Sequence, residues 1–234
     1  MPVSALTFWF VVLEPYAIDP NTLGRTTLDR DDVAWHGYWP AAPTPFTSDG
    51  ALDEPALREV LGLYLSQGVH GVLVNGTTGE WFSQSPAERR RVAEIAVREV
   101  DGRIPVVVGV TAYTPAEAID LARHAAGVGA DGVLATPPPY VHPGPEEILS
   151  FYAEVSGATD LPFMVYNWPR GVSADISAHP GLVRRLADLP RVVAIKDSTG
   201  DWLRMLGTVE AVRDRVRVFG SFLHRRGLAV LLEL

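Results

Sequence analysis

One side chain stands apart by type. Of the 20 basic residues in the chain, a single one, Lys196, is a lysine. Arginine stays protonated at any physiological pH, whereas lysine can shed its proton and attack a carbonyl carbon. Lys196 lies in the run "RVVAIKD" (191–197), whose β-branched apolar residues read as a buried strand. A free lysine titrates at about 10.4, so an amine reactive near neutrality needs surroundings that disfavour its ammonium form by about 4 kcal/mol. Desolvation at an apolar strand end is a source of such a shift. The competing reading is a structural ion pair with the adjacent Asp197. Two other stretches offer matching chemistry. "GTTGE" (76–80) sets two hydroxyls and a run of backbone N–H groups in a glycine-flanked turn, which can hold a small carboxylate without a charged side chain. A plain strand-to-helix turn is its other reading. Tyr166 and Tyr140 are phenols able to move protons beside an imine-forming amine; each is otherwise a tyrosine with its hydroxyl satisfied.

These residues sit in a regular rhythm. Short apolar runs alternate with longer helical patterns: 71–76, 104–110, 131–136, 161–167, 191–197 and 215–221, preceded by a weaker first strand at 38–46. Two of the intervening segments open on a cap, a proline and a glutamate: Ser85, Pro86, Glu88 and Thr114, Pro115, Glu117. Alternating strands and helices predict a parallel sheet. Strand starts roughly 25–34 residues apart match the repeat of a (β/α)8 barrel. The string "GVGADG" (127–132) fits a dinucleotide-loop pattern in letters alone, because it follows a helix and leads into a strand, the reverse of what such a loop requires.

The expected fold is therefore α/β, a (β/α)8 TIM barrel truncated before its eighth strand, with "FLHRRGLAVLLEL" (222–234) as a seventh helix. Residues 1–34 read as an N-terminal extension and 35–234 as the incomplete barrel. In such a barrel the active site forms at the C-terminal strand ends, where "NGTTGE", "TPPPYVHP", "YNWP" and Lys196 all fall.

Composition narrows the function further. A net charge of −8 argues against nucleic acid as a partner, and the short basic runs "ERRR" (88–91) and "HRR" (224–226) read as solvated faces. There is no cysteine, hence no thiolate nucleophile, and the six histidines show no H-x-x-x-H pair, so no metal site is expected. The apolar stretch 5–13 is too short to span a bilayer and lacks a basic flank, which points to a cytoplasmic protein with no membrane partner.

Taken together, "GTTGE", the "TPPPY" loop, "YNWP" and "IKDSTGD", in this order at successive strand ends, resemble the dihydrodipicolinate synthase/N-acetylneuraminate lyase family over about residues 30–234. The resemblance implies a class I aldolase or lyase that acts on pyruvate or a related 2-oxo acid and needs no cofactor. It implies that Lys196 forms the imine and Tyr166 transfers protons. Thr77 relays them and, with Gly76 and Thr78, holds the substrate carboxylate. Tyr140 aligns with a tyrosine that in the synthases reaches into a neighbouring subunit, so a homo-oligomer, dimer or tetramer, is expected of a complete chain. The family also has a further strand and C-terminal helices that this chain lacks. In the lysine-pathway synthases "YNVPSRTG" supplies an arginine for the carboxylate of the aldehyde substrate. Here that position is Gly171 and the arginine is Arg170, so weak condensation with aspartate semialdehyde is expected. 4-Hydroxy-tetrahydrodipicolinate synthase, dehydration of a sugar acid and a non-catalytic truncated member are the alternatives.

Overall fold

A computed structural model describes residues 27–220. Among the described residues seven α-helices and six strands follow one another from Glu54 onward, with two helices between β4 and β5: α1 (Glu54–Ser66), β1 (Val72–Val74), α2 (Pro86–Val100), β2 (Val106–Gly109), α3 (Pro115–Gly127), β3 (Gly132–Ala135), α4 (Pro145–Gly157), β4 (Phe163–Asn167), α5 (Pro169–Val172), α6 (Pro180–Ala187), β5 (Val192–Asp197), α7 (Trp202–Val212) and β6 (Arg217–Gly220). All six strands are parallel and pair in chain order, forming one curled sheet. The seventh helix expected at 222–234 lies outside the described residues, as does most of the extension.

The helix starts follow from local chemistry. Ser85 Oγ accepts from the Glu88 N–H while Glu88 accepts from the Ser85 N–H at 2.8 Å, closing a capping box ahead of Pro86. Thr114 caps α3 in the same way through the Glu117 N–H. Asp53 and Asp201 cap α1 and α7. The string at 127–132 ends α3 and begins β3, with Gly129 in the left-handed region at φ 87°.

The alternation of each strand sorts its side chains into two cores. Outward residues such as Val72, Val106, Val133, Phe163, Val165 and Ile195 pack against the helices. Inward residues, Leu73, Val107, Leu134, Met164, Tyr166, Val193 and Ala194, form a separate barrel-interior cluster with Trp35. Trp35 is 2% exposed. It needs a glycine opposite: a Cβ on Gly132 would stand 2.4 Å from its indole.

The weak first strand at 38–46 is not a regular strand. Ala41 bridges Leu73 in parallel, and the Ala42 and Leu73 amides exchange bonds with Leu73 and Pro40 at 2.8 and 3.0 Å. Prolines at 40, 43 and 45 remove the donors a longer ladder would need. Trp39 of this segment meets Phe219 of β6 edge to face at 5.5 Å, so the two borders of the sheet touch through interior rings. Residues 28–33, counted with the extension in the sequence reading, cross the N-terminal strand ends: the Leu28 N–H donates to Pro190 O at 2.8 Å and Arg217 Nε to Arg30 O at 2.9 Å.

Candidate active site

Lys196 owes its direction to one irregularity. Phe163 pairs with Val192 but Met164 pairs with Ala194, so Val193 is an extra residue, a β-bulge in β5. In an unbroken strand, residues 192 and 196 share a face, because side chains alternate with period two. Val192 faces the helices; the bulge reverses the phase beyond it, with Val193 and Ala194 both inward and Ile195 outward. Lys196 is thereby turned into the barrel, level with Tyr166, its register partner on β4.

The amine lies over the Tyr166 ring, Nζ 4.2 Å from the centroid. Burial pushes its pKa down from 10.5 to about 8. The face of the ring favours the ammonium, so desolvation has to outweigh that attraction. No ion pair or hydrogen bond reaches Lys196 among the described residues, which removes the competing reading of a structural pair with Asp197. Asp197 faces the other way, fully buried, and accepts from Asn167 Nδ2 at 3.2 Å, the Thr199 N–H at 3.1 Å and Thr199 Oγ1 at 2.6 Å. Asn167 Nδ2 also reaches Asp175 Oδ1 at 3.1 Å, and Arg204 Nη1 holds Asp175 Oδ2 at 2.6 Å. This network ties the ends of β4 and β5 together directly behind Tyr166 and Lys196. The Asp175 carboxyl is held below its ordinary pKa by Ser177, Asn167 and Arg204 against the raising effect of burial, the largest single influence.

Above β1, Gly76 is buried, Thr77 partly buried and Thr78 exposed. The Glu80 N–H donates to Thr77 O at 3.0 Å, and Asn75 and Glu80 flank the turn with φ of 54° and 53°. The turn is braced from beneath. Asn75 Nδ2 donates to Arg89 O at 2.7 Å, and Gln84 Nε2 to Gly79 O at 2.7 Å and Thr44 Oγ1 at 3.2 Å. Arg89, read from sequence as part of a solvated basic run, is buried instead. It lies on the same face of α2 as Val92, Ala93 and Ala96, donates to Gly109 O at 3.1 Å and covers the Trp81 ring at 5.1 Å. Burial draws its pKa down to about 10. Its neighbours Arg90 and Arg91 do face solvent, paired with Asp120 and with Glu54 and Glu94.

Lys196 and Tyr166 are thus brought together. No hydrogen bond joins Thr77 to Tyr166 among the described residues, and Tyr140 stands apart, 86% exposed with φ 76° on the loop after β3. Arg170 is exposed on α5. Among the described residues no three His, Cys, Asp or Glu side chains converge as a metal site would need.

Residues 34–222 match the model of the dihydrodipicolinate synthetase family. The chain belongs to that family. A 4-hydroxy-tetrahydrodipicolinate synthase of Phenylobacterium zucineum is 42% identical over 173 residues, 74% of this chain and 58% of that protein. A probable 2-dehydro-3-deoxy-D-pentonate aldolase of Escherichia coli K12, YjhH, is 38% identical over 190 residues, 80% of this chain and 62% of its own length. Among solved structures, the Acinetobacter baumannii dihydrodipicolinate synthase complexed with pyruvate superposes with a TM-score of 0.76 at 33% identity, covering 79% of this chain and 62% of that one. YagE of E. coli K12, also a pyruvate complex, gives 0.77 at 29%, covering 80% and 64%. The chain therefore spans about three fifths of the length of these family members. No described helix is long and apolar enough to cross a membrane.

Two features of this candidate site escaped sequence reasoning. The bulge at Val193 has no signature in a run of small apolar residues. The bracing side chains Gln84, Arg89, Asn167 and Asp197 are polar residues inside or beside quoted motifs, and a burial pattern for α2 would have singled out Arg89, since it falls three and four residues before Val92 and Ala93.

Proposed function

We propose that this chain carries the catalytic half of a class I lyase, in which Lys196 forms a Schiff base with pyruvate or a related 2-oxo acid. The observation that carries the reading is the geometry of Lys196: the chain's single lysine, turned inward by a bulge, unpaired among the described residues, with its pKa drawn down to about 8 and Tyr166 beneath it. The pyruvate bound in two structural neighbours, the Acinetobacter baumannii synthase and YagE, supports the substrate class.

The neutral Nζ attacks C2 of the 2-oxo acid, and its proton passes to the carbinolamine oxygen through Tyr166, so that water leaves and an iminium forms. Loss of a C3 proton gives the enamine, the electron pair passing into the iminium nitrogen. The enamine carbon then bonds to an aldehyde carbonyl, whose oxygen takes a proton. The reverse sequence splits a 4-hydroxy-2-oxo acid. The N–H groups and hydroxyls of Gly76, Thr77 and Thr78 hold the 2-oxo acid's carboxylate, and Arg170 lies at the outer edge of the site. The imine is itself the electron sink, so the reaction asks for no bound cofactor.

Tyr140 completes the proton relay from a second copy, in a dimer or tetramer, which accounts for so exposed a tyrosine. Of the two activities named among the relatives, aldol cleavage is favoured over 4-hydroxy-tetrahydrodipicolinate synthesis. The supporting observation is Gly171: a Cβ there would stand 1.9 Å from the Trp168 indole, leaving no room for an arginine.

The test is chemical trapping. Incubation with pyruvate and borohydride should leave a reduced adduct on the peptide containing "VVAIKDSTGD" and on no other. A folded sample that yields no adduct there would refute the Schiff-base reading.

A further inference from the structure

The turn that has to hold an anion carries no basic side chain of its own, but the buried guanidinium of Arg89 lies behind it. Arg89 grips the turn through both its main chain and its side chain. Its carbonyl accepts from Asn75 Nδ2 at 2.7 Å, one residue ahead of Gly76. Its Nη2 donates to Gly109 O at 3.1 Å, at the end of β2. Gly109 in turn packs directly on the Asn75–Gly76 peptide: a Cβ there would stand 2.1 Å from Asn75 O and 3.1 Å from the Gly76 nitrogen. Gly109 therefore lies against both the guanidinium and the first N–H of the "GTTGE" turn.

Neighbours leave much of this charge unneutralised. Arg89 is 3% exposed, and its Nε is buried with no acceptor among the described residues. One face of the guanidinium covers Trp81. Glu117 of α3 acts on it through space, but no ion pair closes between them. With a pKa of about 10 the group stays charged at neutral pH. A cation enclosed in this way destabilises the protein, and its field is weakly screened by salt. An anion seated on the adjacent turn offsets that penalty.

We propose that Arg89 is a positioning residue for the 2-oxo acid: it fixes the "GTTGE" turn and, acting across Gly109 and the Gly76 N–H, makes that turn selective for a carboxylate. The inference deepens the Schiff-base reading and rests on it. The turn makes the contact with substrate, and Arg89 supplies the charge behind the contact.

Pyruvate and pyruvamide, alike in shape with and without the charge, test this by timed borohydride trapping on Lys196 in the full chain near pH 7. The readout is the ratio of their trapping efficiencies, pyruvate over pyruvamide. Arg89→Met should cut that ratio by at least about tenfold. The loss should come from a higher half-saturating pyruvate concentration, with the limiting rate kept within about twofold. Arg89→Gln, which keeps a donor for Gly109 O, should lose the ratio in the same way. Arg89→Lys should restore it to within about threefold, with mass spectrometry placing the adduct on Lys196. Glu117→Gln leaves Arg89 in place, removes the acid that offsets it and should raise the ratio about twofold. A purely structural Arg89 would slow both ligands together and leave the ratio unchanged in the Met variant, which would overturn the proposal. So would a Gln variant with the wild-type ratio, or a Lys variant no better than the Gln one. Thermal melts establish folding. If neither uncharged variant folds, Glu117→Gln carries the test, and an unchanged or lower ratio there overturns the proposal. No adduct on Lys196 with either ligand in the folded wild type removes the Schiff-base reading and this inference together, whereas an adduct whose ratio ignores Arg89 removes this inference alone.

Discussion

The two ends of the barrel are built from the same strands and treat them in opposite ways. At the N-terminal end, tryptophan fills the interior: Trp35 is buried against Gly132, and Trp39 closes on Phe219. Backbone bonds from Leu28 and Arg30 tie the incoming segment across β5 and β6. At the C-terminal end the interior holds an amine with no partner among the described residues, stacked on Tyr166, with the partly buried Thr77 and the exposed Thr78 at its rim. Hydrogen bonds gather around this end rather than within it, from Asn167 to Asp197 behind the strands and from Gln84 and Arg89 to backbone carbonyls under the β1 turn. One end is spent on stability, and the other keeps reactive groups in place at some cost in stability. That division is general for barrels of this kind.

The comparison can be broken first at Lys196. Lys196→Met should abolish the pyruvate adduct entirely, since no other lysine exists. It should also melt above the wild type at pH 7, because it removes a desolvated charge. A destabilised Lys196→Met protein would show that the amine contributes to the fold. Tyr166→Phe probes the same end less severely. Trapping should slow by about 10²–10⁴-fold and still occur on Lys196, as phenol proton transfer has that typical worth; mass spectrometry of timed samples gives the rate.

The opposite end should respond in the opposite sense. Trp35→Ala should cost about 3–5 kcal/mol by denaturant unfolding, through a cavity at the N-terminal mouth. Its trapping rate per folded molecule should stay at the wild-type level. A large loss of trapping in folded Trp35→Ala would mean that the two ends are not independent.

The pH profile sharpens the comparison with the smallest effect. With a folded pKa of about 8, trapping at fixed pyruvate should rise about tenfold per pH unit up to about 8 and then level. The sign for stability follows from linkage. The folded pKa lies below the ordinary 10.5, so burial destabilises the protein below pH 8, and that penalty is relieved as pH rises from about 8 to 10.5. Lys196→Met should lack this rise in stability, read from urea unfolding at pH 7 and pH 9.5.

Much of the fold was legible because its signals are local. Ser85 and Thr114 cap helices through bonds that span three residues, and the runs at 71–76, 104–110 and 161–167 declare strands by their own composition. The segment at 38–46 was overestimated, since its apolar character suggested a strand while its prolines withheld the donors a ladder needs.

By itself the sequence determined which residue is chemically exceptional, where the strands end and which helices follow them. These are matters of residue type and short-range spacing. Only the tertiary structure decided where the exceptional residue points. Period-two alternation from Val192 would have sent Lys196 toward the helices, and the pairing of β5 with β4, which skips Val193, sends it to Tyr166. The same holds for Arg89, drawn inward by the packing of α2, for Asp197, captured by Asn167 instead of Lys196, and for Trp168, whose place over Tyr166 exists because Gly171 leaves room for it. Register and close approach depend on residues distant in the chain, and local composition carries no record of them.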